Sequence, residues 1–399
     1  MNILDAKPLR DLTLSDLQVL VEAEVREGRD IDYKQRLPGE TEAEKKEFLA
    51  DASSFANASG GHLVYGVRER RDAANDPMAV PESFPGVEAE NDDVAIQRLD
   101  NILRSGTDPR IPGVEIRAVR TSDGKPIIIL RIPRSWTGPH MIAYQEWCRF
   151  YSRNSSGKCR LDVAELRGLF LRSESVSRYV REFQAGRLGS LLANETPLPL
   201  PECPLAVLHL VPLTAADPAG TFDLRGIATQ PRLLPPIRGG GWNDRLNFDG
   251  FVTFTGDDQH QPSLAYTQVF RNGSIEAVAG IPSDPKERKI APWYEGRVAS
   301  ALAQYLRAQA LIGVGPPLAV SVSMLRVRGC TMASGPHYSV PLHGGADRDV
   351  LAGPFGLIED MDSDAAQVLR PSFDALWNAF GYPGSINYDN HGNWRPRSG

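Results

Sequence analysis

Three acidic residues and a lysine lie at or near the ends of predicted strands, where side chains reach solvent: Glu27, Asp32, Lys34 and Glu69. Carboxylate oxygens are the ligands that Mg²⁺ and Mn²⁺ prefer. Such an ion can activate a water and stabilise the charge that develops during phosphodiester cleavage. On a strand, Asp32 and Lys34 share one face, so Lys34 would hold the scissile phosphate or a leaving oxygen. The alternative is that the three acids are ordinary solvated residues.

Positive charge is concentrated in one block of the chain. Residues 98–187 contain 17 Lys and Arg against 9 Asp and Glu, whereas residues 1–97 contain 11 against 21. A basic block within an acidic protein is typical of a phosphate-binding face. The alternative is that its arginines form ion pairs with the acidic block ahead of it. The candidate nucleic-acid-binding residues are Arg149, Arg153, Lys158 and Arg160, of which Arg153 and Lys158 flank the polar segment NSSGK, predicted as a loop.

Aromatic residues alternate with these arginines at Trp136, Tyr144, Trp147 and Tyr151. Interleaved rings and cations are suited to stacking on the bases of single-stranded or splayed RNA. The alternative is that at least half of these rings belong to the hydrophobic core.

The first half of the chain alternates between helical and strand patterns. Thr41 and Asp162, each followed three residues later by Glu, have the spacing of a helix N-terminal capping box. Gly60 and Gly61 allow a left-handed turn into a strand. The predicted helices are 14–24, 42–57, 94–103 and one that starts after Asp162; the predicted strands are 30–35, 62–67, 114–119, 126–132 and 147–153. Residues 70–92, rich in Asp, Asn, Pro and Glu, are predicted to be a solvated loop.

A Pro-rich linker at 191–204 is predicted to separate a domain at 1–190 from a second domain at 205–399. Asn272-Gly273 is a hairpin signal between two of the second domain's strands. These strands are predicted at 206–211, 250–255, 265–271, 274–279 and 318–325, and its helices at 293–310 and 364–380. The tail from Asn387 onward is predicted to be frayed. The chain is therefore predicted to be α+β, with an α/β-type first domain and an α+β second domain.

Composition and motifs exclude several classes of protein. The 41% hydrophobic and 24% charged residues are ordinary for a soluble globular chain. No apolar run approaches the roughly 18 residues that a membrane span needs, and the first residues lack the pattern of a secretory signal. The four cysteines include no CxxC pair, which favours a reduced, cytoplasmic protein without structural zinc. No GxxxxGK[ST] motif is present, which argues against a P-loop NTPase.

Three separated blocks of the chain resemble the Schlafen AlbA-type domain. They are EGRDIDYK at 27–34, SFANASGGHLVYGV at 54–67 followed by Arg68-Glu69, and RFYSRNSSGKCRLDVAELRGLF at 149–170. The resemblance covers about residues 14–175 and does not extend to 200–399. It implies an α/β domain that handles nucleic acid.

Some members of the family are metal-dependent endoribonucleases that use three carboxylates, and others bind nucleic acid without cutting it. Carried over by position, the three carboxylates are Glu27, Asp32 and Glu69. Two of them depart from the family pattern, because Asp32 stands where the family usually has Glu and Glu69 where catalytic members usually have Asp. Asp32 is one methylene shorter and Glu69 one methylene longer than the usual family residue. The two changes either compensate and keep the carboxylates within reach of one ion, or abolish cleavage, since metal sites tolerate only about 0.5 Å of error.

The resemblance leads to the hypothesis of a cytoplasmic, Mg²⁺- or Mn²⁺-dependent endoribonuclease that acts on tRNA-like or structured RNA in bacterial defence or stress. In this hypothesis the second domain senses a signal or recruits a regulatory partner, and pairing of Schlafen-like domains makes a homodimer plausible. The first alternative is a non-catalytic nucleic-acid-binding regulator on the same fold. The second is a protein–protein module without a role for nucleic acid or membrane.

Overall fold

The computed structural model describes residue 4 and residues 7–89, 91–154, 157–256, 262–281, 288–333 and 345–396. The chain forms two compact units, Met1–Ser175 and Val176–Gly399. The boundary between them falls inside a long helix, and the Pro-rich segment 191–204 lies within the second unit. The α+β class predicted from the sequence is confirmed.

In its described part, the first unit contains ten strands and ends within a long helix. Its helices are α1 (Leu14–Glu22), α2 (Glu42–Ala56), α3 (Asp92–Gly106) and α4 (Val163–Leu192), which continues into the second unit. Its strands are β1 (Ile31–Lys34), β2 (Gly60–Tyr65), β3 (Arg68–Arg71), β4 (Pro77–Ser83), β5 (Thr107–Asp108), β6 (Glu115–Arg120), β7 (Pro126–Pro133), β8 (Met141–Tyr144), β9 (Trp147–Asn154) and β10 (Gly157–Arg160).

A four-stranded sheet in the order β1-β2-β7-β6 forms the centre of this unit, and only β1 and β2 run parallel. The strand β7 (PIIILRIP) is apolar on both faces because both faces of the sheet are covered. Leu17 and Leu20 of α1 pack on one face and Phe48 and Phe55 of α2 on the other. A second antiparallel sheet, β10-β9-β8-β5, contacts α2 from the opposite side.

Local signals explain how several elements begin. The Thr41 side chain accepts a hydrogen bond from the backbone of Glu44 at the start of α2. Asp162 and Glu165 bond reciprocally at the start of α4, which confirms that predicted capping box. Gly61 has φ 153°, and a side chain there would collide with the Phe55 ring, which explains why the chain needs glycine to enter β2.

Three predictions for irregular segments are wrong. The predicted loop at 70–92 contains β4, which pairs with β3 in a largely exposed ribbon. The predicted loop at NSSGKCR contains β10, which pairs with β9. The tail is packed rather than frayed, since the Trp394 ring stacks on Phe373 with centroids 6.0 Å apart and bridges to Tyr388.

The second unit is built around an antiparallel sheet of eight strands in the order β12-β13-β14-β15-β11-β17-β19, with β20 also paired to β17. Its strands are β11 (Leu205–Pro212), β12 (Asn243–Leu246), β13 (Gly250–Phe254), β14 (Ala265–Phe270), β15 (Ile275–Gly280), β16 (Lys289–Ile290), β17 (Leu318–Leu325), β18 (Thr331–Met332), β19 (Val350–Leu351) and β20 (Gly356–Ile358). Its further helices are α5 (Arg225–Ala228), α6 (Tyr294–Leu311) and α7 (Ala365–Asn378). Helices α6 and α7 cover one face of the sheet, and Leu188 and Leu191 of α4 pack on the other. Among the described residues, no helix has the length and apolar content needed to cross a membrane.

Candidate functional site

Asp32 lies at the centre of the candidate site, on β1, with its carboxylate held between two cations. The Arg153 guanidinium donates to Oδ2 at 2.5 Å, and the Lys34 ammonium lies 3.1 Å from Oδ1. Burial alone would raise the pKa of Asp32, but the charges of Lys34 and Arg153 outweigh it and lower that pKa. Asp32 is therefore held as a carboxylate with both oxygens already engaged.

Glu27 lies beside Asp32, close enough for the two side chains to influence each other's charge. Its Oε1 also accepts the backbone N–H of Tyr33 at 2.7 Å. Burial, followed by repulsion from Asp32 and a smaller repulsion from Glu69, raises the pKa of Glu27 to about 7. Near neutral pH, Glu27 is thus protonated in part of the population, beside an Asp32 that stays ionised.

The β3–β4 ribbon positions Glu69 near Glu27. Glu69 pairs with Pro81 across the ribbon, and the backbone N–H of Glu27 donates to the carbonyl of Ala79 on β4 at 2.8 Å. Glu69 is then close enough to act on the charge of Glu27. The structure therefore brings the three predicted acids to one region.

In the described structure, Glu27, Asp32 and Glu69 are not positioned to bind a metal ion together. Within the described ranges, no group of three or more His, Cys, Asp and Glu is placed to hold a metal ion. Both oxygens of Asp32 face cations, and a dication there would be repelled by Lys34 and Arg153. This arrangement of side chains fits a protonated Glu27 beside an ionised Asp32 better than it fits Mg²⁺ or Mn²⁺.

A further carboxylate, Asp51 on α2, extends the charged cluster. It lies 3.3 Å from the Lys34 ammonium and 2.8 Å from that of Lys158, which also contacts Glu47 at 2.5 Å. Burial raises the pKa of Asp51 in spite of these two lysines. We did not identify Asp51 from the sequence, although an acid three residues after Phe48 on an apolar helix face is a detectable signal.

Two of the four predicted phosphate-binding cations are engaged inside the protein. Arg153 is 7% exposed, lies 4.2 Å from the centre of the Phe55 ring and donates to the carbonyl of Gly28. Lys158 is held by Asp51 and Glu47, whereas Arg149 and Arg160 are exposed. A phosphate could reach Arg153 only by displacing a buried ion pair.

Ion pairing between the two charged blocks extends beyond this cluster. In the described part of the chain, five cations of residues 98–187 pair with acids of residues 1–97: Arg98 with Glu40, Arg120 with Asp92, Lys125 with Glu88, Arg153 with Asp32, and Lys158 with Glu47 and Asp51. Ion pairing with the acidic block at residues 1–97 therefore neutralises part of the positive charge of residues 98–187.

The four aromatic residues of the basic block are also buried or partly buried in the protein. Tyr151 is buried in the core and Trp147 packs beside it, with ring centroids 6.1 Å apart. Trp136 is half-buried and lies under the Arg134 guanidinium at 4.3 Å. Tyr144 packs at the edge of the core.

A groove that sequence reasoning missed opens where the parallel strands β1 and β2 end. It has a volume of about 510 Å³ and is lined by the segment 35–39, which follows β1, by Arg68, by the segment 85–88, and by Arg98 and Lys125. Arg98 donates to the carbonyl of Pro38, and Lys125 pairs with Glu88. Arg36 and Arg68 form no ion pair with any described carboxylate. Ligands of open α/β sheets bind at the carboxyl ends of strands, which is the signal that could have located this groove.

The family model for the Schlafen AlbA_2 domain matches residues 27–162, from Glu27 to the residue that caps α4. Residues 27–162, called the AlbA_2 domain below, are similar to this family. The match covers about a third of the chain and indicates a nucleic-acid-related function for this AlbA_2 domain.

Two solved structures are similar to parts of this chain. One is the N-terminal domain of a RecG-related protein from Nitrosomonas europaea, with 21% identity and a TM-score of 0.28 over 38% of this chain and 96% of that one. The other is the DIP2311 protein from Corynebacterium diphtheriae, with 15% identity and a TM-score of 0.26 over 40% of this chain and 33% of that one. The search of curated proteins found none that matches this chain.

Proposed function

We propose that the AlbA_2 domain binds nucleic acid and that Arg36 and Arg68 contact backbone phosphates in the groove beside β1 and β2. The observation that carries the proposal is the uncompensated charge of these two side chains. Their guanidinium groups have no carboxylate partner among the described residues, whereas the other two cations that line the groove, Arg98 and Lys125, pair with Glu40 and Glu88. An approaching phosphate is the natural counterion for such a pair.

The type of residue supports the same assignment. Arg offers a planar fork of donors that matches a phosphate group, and it is weakly hydrated compared with Lys. Phosphate contacts position a nucleic acid without reading its sequence. Arg149 and Arg160, exposed on the β9–β10 hairpin, provide further contacts for a longer strand. RNA with tRNA-like structure is the partner that the family resemblance implies.

The proposal is tested by fluorescence anisotropy with labelled total tRNA and full-length protein in EDTA. We expect the double variant Arg36→Ala/Arg68→Ala to bind at least tenfold more weakly than the wild type. A charge-matched control, Arg10→Ala/Arg104→Ala, removes two exposed arginines of the same unit that do not line the groove. Equal weakening by both double variants, or no binding by the wild type, would overturn the proposal.

A second candidate is a metal-dependent endoribonuclease. The gathering of Glu27, Asp32 and Glu69 in one region favours it, but it requires that Lys34 and Arg153 first release the Asp32 carboxylate to a cation. The same tRNA is incubated with Mn²⁺ and wild type, Glu27→Ala or Glu69→Ala, with Glu22→Ala on α1 as a matched control. This candidate requires cleavage by the wild type and the control and its loss in the other two variants. Equal RNA integrity in all four reactions would remove the enzyme hypothesis and leave binding.

A further inference from the structure

The second unit contains a cavity of about 980 Å³ between the segment that leads into β11 and the segment that follows β17. Its volume is at the upper end of the range of small-molecule sites. Arg288, Arg326 and Glu202 provide its charged lining, and Leu200, Cys203 and Pro204 provide much of the rest. The cavity lies outside the AlbA_2 domain and has no part in the nucleic-acid binding proposed above.

The two arginines on its wall are held by neutral partners. Arg326 donates to the carbonyl of Pro201 at 2.8 Å and to Oδ1 of Asn194 at 3.0 Å. Arg288 donates to the carbonyl of Arg328 at 2.8 Å. Neither guanidinium forms an ion pair with a carboxylate in the described part of the chain. Both guanidinium groups are therefore positioned without a described carboxylate as partner.

The backbone at these two residues is also unusual. Arg288 has φ 49° and Arg326 has φ 62°, in the left-handed region that side-chain-bearing residues rarely adopt. Such conformations persist where the surrounding structure imposes them and cluster at ligand sites.

A third arginine adds to the positive potential. Arg238 donates to the carbonyl of Gly280 at 2.9 Å. Burial raises the pKa of the Cys203 thiol, and the charges of Arg238 and Arg326 oppose that rise, so both guanidinium groups lie near Cys203. Among the described residues that line the cavity, two guanidinium groups thus stand against the one carboxylate of Glu202, and Arg238 adds positive charge near Cys203.

We propose that this cavity binds a small organic phosphate, with Arg288 and Arg326 on the phosphate group and Leu200 and Pro204 against the organic part. Arginine forks satisfy phosphate oxygens in pairs. The apolar lining gives the organic part a surface that free phosphate could not use. The ligand is therefore a phosphorylated metabolite-sized molecule.

The test uses calorimetric titration of the full-length chain carrying Arg36→Ala/Arg68→Ala, so that the AlbA_2 groove does not contribute. The probes are AMP, glucose 6-phosphate and phosphoserine, each beside its unphosphorylated parent, together with inorganic phosphate. We expect at least one phosphorylated probe to bind tenfold or more tightly than its parent and than inorganic phosphate. No such preference in any of the three pairs would overturn the proposal.

The residues are then tested with Arg288→Ala/Arg326→Ala, with Arg307→Ala on the exposed face of α6 as the control. We expect the double variant to lose at least tenfold in affinity and the control to bind normally. A second readout needs no variant. The bound probe should slow the alkylation of Cys203, measured by peptide mass spectrometry, and should leave the alkylation of the exposed Cys148 unchanged. Unchanged affinity in the double variant, or unprotected Cys203, would contradict the assignment.

Discussion

Arg153 on β9 and Asp32 on β1 form a buried ion pair, 2.5 Å between Nη2 and Oδ2, across 121 residues of sequence. The pair fastens the second sheet of the first unit to the central sheet. It also fixes Asp32 as a charged acceptor next to Glu27. A residue expected to contact RNA thus holds the candidate site together.

Removing Arg153 should destabilise the first unit. Arg153→Ala leaves the buried Asp32 carboxylate with Lys34 as its remaining cation, and breaking a buried pair in this way costs about 3 kcal/mol. The measurement is urea-dependent hydrogen exchange of β1 and α2 peptides. Arg160→Ala, which removes an exposed arginine from the neighbouring strand, should change the free energy of unfolding by less than about 0.5 kcal/mol. Similar losses in the two variants would contradict the buried role of Arg153.

Glu27 should make the first unit less stable as pH rises. Its pKa is about 7 in the folded chain against an ordinary value of 4.5, so the folded state binds more protons between these values. Its contribution to the free energy of unfolding is most favourable below pH 4.5 and is lost as the pH rises toward and past 7. Glu27→Gln imitates the neutral acid, including a donor toward Asp32. Its stability relative to the wild type should therefore increase from pH 4.5 to 7.5.

The control for this titration is Glu22→Gln, on the exposed face of α1. Glu22→Gln should not reproduce the pH-dependent gain expected for Glu27→Gln, because Glu22 lies outside the Glu27–Asp32 cluster. A constant difference for Glu27→Gln would show that Glu27 titrates normally.

Asn57 should be a structural residue. Its side chain donates to the carbonyls of His140 and Tyr151, and it accepts the N–H of His140 at 2.7 Å. Asn57→Ala leaves these buried groups without partners, which should cost about 3 kcal/mol. Hydrogen exchange of the β8 and β9 amides reports the loss, with exposed Asn101→Ala as the control. Wild-type protection in Asn57→Ala would refute the role.

Much of the fold could be predicted from local signals. The strand at 318–325 is found where its apolar run predicted it, and α4 begins after the predicted Asp162–Glu165 box. The β3–β4 ribbon was missed because its burial pattern is largely exposed, so it lacks the alternation that marks a strand.

The candidate site was only partly predictable. The resemblance located Glu27, Asp32 and Glu69, but the partner of a buried charge is set by tertiary packing. Nothing in the segment around Arg153 indicates that its guanidinium meets a carboxylate 121 residues earlier. Arg68 was missed for the same reason, since the residues around it in the groove are distant in sequence, whereas Asp51 carried a local signal as an acid on the apolar face of α2.

The salt dependence of tRNA binding tests the central claim most directly. Each phosphate contact contributes about 0.7 to 0.9 to the slope of log affinity against log salt concentration. We predict that Arg36→Ala/Arg68→Ala makes this slope less steep by about 1.5, because two phosphate contacts are lost, while Arg10→Ala/Arg104→Ala keeps the wild-type slope. An unchanged slope in the groove variant would contradict the account.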